Sequence, residues 1–121
     1  MSMLTLKGIE FGSNDLNAYA PEKPDNFCIW LTLTIGPQEA EGGHLFQLGI
    51  CTSTWLAHQV SRKNIYVLRH MFLVERFDIE LIKNKIHKII QDANRLGIKE
   101  SIGVLCRYFQ WEYEDFQAND E

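Results

Sequence analysis

Residues 26–36 constrain the fold more than any other stretch of this chain. Phe27, Ile29, Leu31, Leu33 and Ile35 alternate with Cys28, Trp30, Thr32 and Thr34. A period of two gathers the first set on one face only if the backbone is a β-strand. Gly36-Pro37 stops the strand, because proline has no N–H to give to a ladder. After a short polar connection (38–43), His44 to Cys51 repeats the pattern with Phe46, Leu48 and Ile50 inward. Two strands so close in sequence predict a hairpin.

The rest of the chain is fitted around that hairpin. Residues 3–11, with Leu4, Leu6, Ile9 and Phe11, read as a first strand, and residues 12–25 as a loop rich in turn residues. Thr52, Ser53 and Thr54 ahead of Trp55, Leu56 and Val60 suggest a capped short helix or turn. Residues 64–75 are apolar on both faces and read as a fourth strand, central or helix-covered. Asp78 caps a long helix whose stripe is Ile79, Ile82, Ile86, Ile89, Ala93 and Leu96, with Gly97 as its stop. A second helix over about 99–109 would bury Ile102, Leu105, Cys106 and Phe109. Strands first and helices last predict an α+β fold: a four-stranded antiparallel sheet followed by two C-terminal helices packed on one face.

With 121 residues and no linker or repeat, the chain has the size of a single domain spanning 1–121, with 118–121 as a frayed tail. No basic segment followed by an apolar core opens it, and its longest uncharged apolar stretch, 27–37, is too short to span a bilayer. The expectation is a cytoplasmic protein with no membrane partner.

The chemistry of known catalytic motifs is missing. There is no phosphate-binding glycine loop, no GxSxG and no HExxH. The four histidines, His44, His58, His70 and His87, share no ligand spacing, and Cys28, Cys51 and Cys106 form no CxxC pair. No metal, cofactor or catalytic residue is expected. Three thiols in apolar surroundings are read as buried in a reducing compartment.

Charge is distributed unevenly. Residues 1–60 hold six acids against two bases, residues 61–109 ten bases against five acids, and residues 110–121 five acids and no base. The lysines of the long helix alternate with acids and have no interleaved aromatic platform, so nucleic acid is not expected as a direct ligand. The tail is unusual: Trp111, Tyr113 and Phe116 alternate with Glu112, Glu114 and Asp115. The aromatics would close the core, and the acids would suit a basic partner surface. Asp15, Glu22 and Asp25 in the first loop, and Glu39 and Glu41 in the hairpin, are the second acidic candidates.

Several short patterns occur in one order: Pro24-Asp25-Asn26-Phe27, Ile35-Gly36-Pro37, Phe46-Gln47-Leu48-Gly49-Ile50-Cys51 leading into Thr54-Trp55-Leu56, and Tyr108-Phe109-Gln110-Trp111-Glu112-Tyr113-Glu114-Asp115-Phe116. In this order the chain resembles the immunity protein 8 family of bacterial polymorphic-toxin and contact-dependent growth inhibition systems. The resemblance implies a non-catalytic cytoplasmic protein that binds the C-terminal domain of a cognate secreted toxin, often a nuclease, and protects the cell. Binding is expected to be one to one, with Glu112, Glu114, Asp115, Asp15, Glu22 and Asp25 as contacts, chosen because a nuclease cleft must be basic.

Two other classes stay open at this point. One is an enzyme built on Cys28, Cys51 or His70, which needs a thiol shifted toward thiolate. The other is an adaptor that forms a homodimer through an exposed sheet edge.

Overall fold

The computed structural model describes residues 3–12, 14–15 and 20–113, with 14 and 15 described by their backbone alone. Its elements run β1 (Leu4–Phe11), β2 (Asn14–Asp15), β3 (Cys28–Pro37), β4 (His44–Thr52), α1 (Ser53–Lys63), β5 (Met71–Val74), α2 (Ile79–Ala93), α3 (Ile98–Leu105) and β6 (Gln110–Trp111). The sheet order is β2-β1-β3-β4-β5, and β6 pairs with β4. The fold is α+β, with two helices following the last long strand pair.

The central hairpin forms as its alternation predicts. Ile29, Leu31, Leu33 and Ile35 of β3 and Phe46, Leu48 and Ile50 of β4 are buried on one face. Against them lie Ile82, Ile86, Ile90 and Ala93 of α2, Ile102 and Leu105 of α3, and Phe109 just beyond it. Both C-terminal helices therefore pack on the same side of the sheet.

The sheet is mixed rather than fully antiparallel: β5 runs parallel to β4, with Gly49 opposite Met71 and Thr52 opposite Val74. The cause is α1. Thr52 ends β4 and caps the helix, its Oγ1 accepting from the Trp55 N–H at 3.3 Å. The helix carries the chain back, so the next strand starts from the same end, as a parallel pair requires. The segment expected as one strand over 64–75 also divides. Asn64 closes α1 in the left-handed region (φ 69°) and His70 turns the chain again (φ 58°), leaving four residues, Met71–Val74, to pair. A β-ladder does not accommodate such a residue.

The long helix ends earlier than its stripe predicts. Asn94 leaves the helix at φ −62°, ψ 129°, and its side chain takes up the backbone of β1. Asn94 Oδ1 accepts from Leu4 N–H at 2.8 Å, and Nδ2 donates to Leu4 O at 3.2 Å and Ile90 O at 3.0 Å. Ile90 rather than Ile89 is the fully buried member, and Leu96 lies outside the helix, 89% exposed. Gly97 is the N-cap of α3 instead of the stop of α2. Ser101 fixes this turn by accepting from Arg95 N–H at 2.7 Å and donating to Gly97 O at 3.1 Å.

Candidate functional site

The acidic residues fall at opposite ends of the sheet. Glu22 and Asp25 are exposed in the loop that leads into β3. Phe77 N–H donates to Pro24 O at 2.8 Å, and the Phe27 and Phe77 rings meet edge to face at 5.7 Å, so this loop is anchored. Glu112 follows β6. Its N–H donates to Leu45 O at 2.9 Å and its Oε2 accepts from Leu45 N–H at 2.8 Å. The Glu112 carboxylate thus extends the β4–β6 ladder by one side chain. Leu45 pairs with Thr34. From there to Phe27 is seven residues of strand, about 23 Å at roughly 3.3 Å per residue. Asp15 lies in β2, paired with Glu10 of β1; its side chain, and all of Glu114, Asp115 and Phe116, lie outside the described residues. Trp111 packs on the core between His44, at 5.8 Å, and Tyr113, at 5.2 Å, and Tyr113 itself is half exposed.

The thiols are arranged against nucleophilic use. Cys28 and Cys51 stand directly opposite each other in β3 and β4. Thr52 N–H donates to Phe27 O at 3.1 Å, which makes Phe27–Thr52 a hydrogen-bonded pair. Cys28–Cys51 is then the close, non-hydrogen-bonded pair next to it. Burial, and secondly the neighbouring Cys51, push the Cys28 thiol up to about 11. Burial raises Cys51 as well. Both effects favour the protonated thiol, whereas a nucleophilic cysteine needs the reverse. His70 is occupied: its Nε2 stands 3.2 Å from Cys106 O, a carbonyl that only accepts, so that nitrogen carries the hydrogen. Among the described residues no group of three or more His, Cys, Asp or Glu is placed to hold a metal, and no helix is long and apolar enough to cross a membrane.

A surface that the sequence pattern did not single out lies on the other face of the sheet. None of residues 53–74 is buried, although they include Trp55, Leu56, Val60, Ile65, Tyr66, Val67, Leu68 and Leu73. Trp55 and Tyr66 meet edge to face at 5.4 Å, and Lys63 sits over the Tyr66 ring at 5.4 Å. Tyr66 lies close enough to Cys28 and Cys51 that, after its own burial, their charges help raise its phenol. In the same stretch Ile65 is 74% and Val67 78% exposed, and Val60 and Leu68 are exposed as well. No Asp or Glu occurs between Gly42 and Val74, while Arg62, Lys63 and Arg69 do. That acid-free run was the available signal. Reading 64–75 as a central or helix-covered strand assigned the same apolar residues to the core instead.

The family model described as Immunity protein 8 matches residues 4–116, nearly the whole chain. The chain belongs to the immunity protein 8 family. Searches of the curated proteins and of the solved structures return no match.

Proposed function

We propose that this chain is a non-catalytic cytoplasmic protein that binds the C-terminal domain of a cognate secreted toxin one to one and thereby neutralises it. The observation that carries the reading is the family match over residues 4–116. The raised Cys28 and Cys51 thiols agree with it, since they are the opposite of an activated nucleophile.

The finer form of the proposal is a nuclease toxin whose basic cleft is occluded. Such a cleft must bind phosphates, and carboxylates can take their place. Glu22 and Asp25, exposed in an anchored loop, are the acids best placed for this role. Glu112, Glu114, Asp115 and Asp15 complete the proposed set, although the Glu112 carboxylate already serves Leu45. A second form, binding away from the cleft, is favoured by the exposed apolar residues of α1 and 64–69.

The test is co-expression with the toxin domain encoded immediately upstream. The expected result is a 1:1 complex on co-purification and restored growth. Absence of both removes the reading. Within a positive result, Glu22→Lys with Asp25→Lys is expected to weaken binding at least ten-fold if the acids meet a basic cleft, and the loss should shrink as salt rises.

A further inference from the structure

We infer that the face formed by α1 and residues 64–69 is a protein-docking surface, and that its occupant is an apolar surface of the toxin domain rimmed by carboxylates. The inference rests on the toxin-binding reading and specifies where the contact lies and what chemistry it meets.

The first observation is uncovered apolar surface. The helix α1 buries no residue, and the segment after it forms no regular structure. Ile65 and Val67 in this segment are 74% and 78% exposed, Leu68 is 46% exposed, and Val60 on α1, 42% exposed, adds to them. Scattered exposed apolar residues are ordinary, but a contiguous set is the mark of an interaction site. None of these side chains belongs to the core cluster.

The second observation is that the cover beneath is fixed. Thr52 caps α1 and also accepts from Phe27 N–H at 3.1 Å, tying the helix start to β3. Trp55 and Tyr66 lock against each other under Lys63. The exposed residues therefore sit on a preorganised base, which lowers the ordering cost of binding.

The third observation decides the partner's charge. In sequence, the exposed Arg62 and Lys63 precede the apolar residues 65–68 and the exposed Arg69 follows them, with no acid from Gly42 to Val74. An apolar centre with a cationic rim fits a partner with an apolar centre and an anionic rim. It does not fit the basic cleft of a nuclease, so this surface places the contact on a different part of the toxin. A second copy of this chain would bring like charges together around the same centre.

The experiment uses the full chain and the toxin domain encoded beside it. Titration calorimetry is run on the unmodified protein and on Ile65→Glu, Val67→Glu, Arg62→Glu with Lys63→Glu, and Leu96→Glu as a control on another surface. Thermal melts and sedimentation velocity are run on each. The positions changed are exposed, so melts should coincide for the Ile65, Val67 and Leu96 variants, while the Arg62/Lys63 reversal, which loses the Lys63 contact with Tyr66, should melt lower. Ile65→Glu and Val67→Glu are expected to weaken binding at least ten-fold. The Arg62/Lys63 reversal should slow association and invert its salt dependence, while Leu96→Glu binds as the unmodified protein does. Equal binding by all variants, while the unmodified chain binds, overturns the surface and leaves the toxin reading standing. Failure of the unmodified chain to bind overturns both. A dimer that Val67→Glu dissociates, with toxin binding unchanged, overturns the proposed occupant in favour of a second copy.

Discussion

The two faces of the sheet are built from similar residues and treated differently. On one, Leu31, Leu33, Phe46 and Leu48 are closed over by α2 and α3 and have essentially no exposed surface. On the other, Tyr66 lies close to Cys28 and Cys51, and not one residue from 53 to 70, across α1 and the segment after it, is buried. Apolar composition alone therefore does not separate what folds the chain from what it offers to a partner. The separation comes from which face already has two helices to cover it. Stability should be concentrated on the first face and binding on the second.

Deletion of side chains should show the widest gap between the faces. Leu31→Ala removes a fully buried side chain beneath the helices and is expected to cost about 2–5 kcal/mol. Val67→Ala removes mostly exposed methyls and should fall within roughly 0.5 kcal/mol of the unmodified chain. Urea unfolding of the pair checks this. Equal losses would mean that residues 64–69 are closed into a core and that the comparison is false.

The outer face is not wholly free of packing, and Gly49 locates where it is tight. Gly49 is paired with Trp30 across the hairpin. A methyl there would stand 2.9 Å from Trp30 Cζ2 and 3.0 Å from Met71 Cγ. Gly49→Ala is expected to cost about 1–3 kcal/mol as the indole and Met71 give way. A change in the fluorescence spectrum of the native state should accompany the loss, because Trp30 must move. An unchanged stability would mean that Trp30, already partly exposed, swings clear, and that even this part of the outer face is loose.

On the covered face, Asn94 tests how the helix layer is attached. It makes two hydrogen bonds with Leu4, at the start of β1, and one with Ile90 O. Asn94→Ala should cost about 1–2 kcal/mol, most of it from leaving the Leu4 backbone without its partner. Hydrogen exchange should quicken at the Leu4 amide and at the end of α2 before it does at β3. Exchange that quickens everywhere equally would make Asn94 no more than a general contributor.

Much of this arrangement was legible in the sequence, and the rest was lost for physical reasons. The period of two in residues 27–35 and 46–50 identified the covered face residue by residue. The helix periodicity found α2 but rotated its stripe, because Ile89 and Ile90 are adjacent and only packing against the sheet chooses Ile90. The parallel β5 was hidden because a strand's direction depends on whether α1 returns the chain, which local pattern does not encode. The left-handed turn at His70 breaks the fourth strand at a residue whose type gives little warning. The acidic candidates were chosen by charge alone, and charge did not reveal that Glu112 is held by Leu45, or that Glu22 and Asp25 are a sheet's length away. The apolar residues of 64–69 were assigned to a fourth strand apolar on both faces, since exposure is a property of the assembled layers.

The smallest expected effect concerns the two thiols beneath the outer face, and it measures how well that face is covered. Cys28 is raised from 9.0 to about 11, by burial first and then by Cys51. Below pH 9 the thiol is protonated in both folded and unfolded chains, so it adds no pH dependence. Between about 9 and 11 the unfolded chain loses a proton that the folded chain keeps, and stability falls as pH rises. Above 11 the slope from this group disappears. Cys51 and Tyr66, raised in the same direction, add to the fall. Cys28→Ala should flatten part of the slope in denaturant titrations across this window. Because Cys28 is only partly buried, solvent screens the effect and the change should be modest. A slope that Cys28→Ala leaves unaltered would mean that α1 and Tyr66 do not keep water from the thiol, so the outer face would be open to solvent down to the sheet itself.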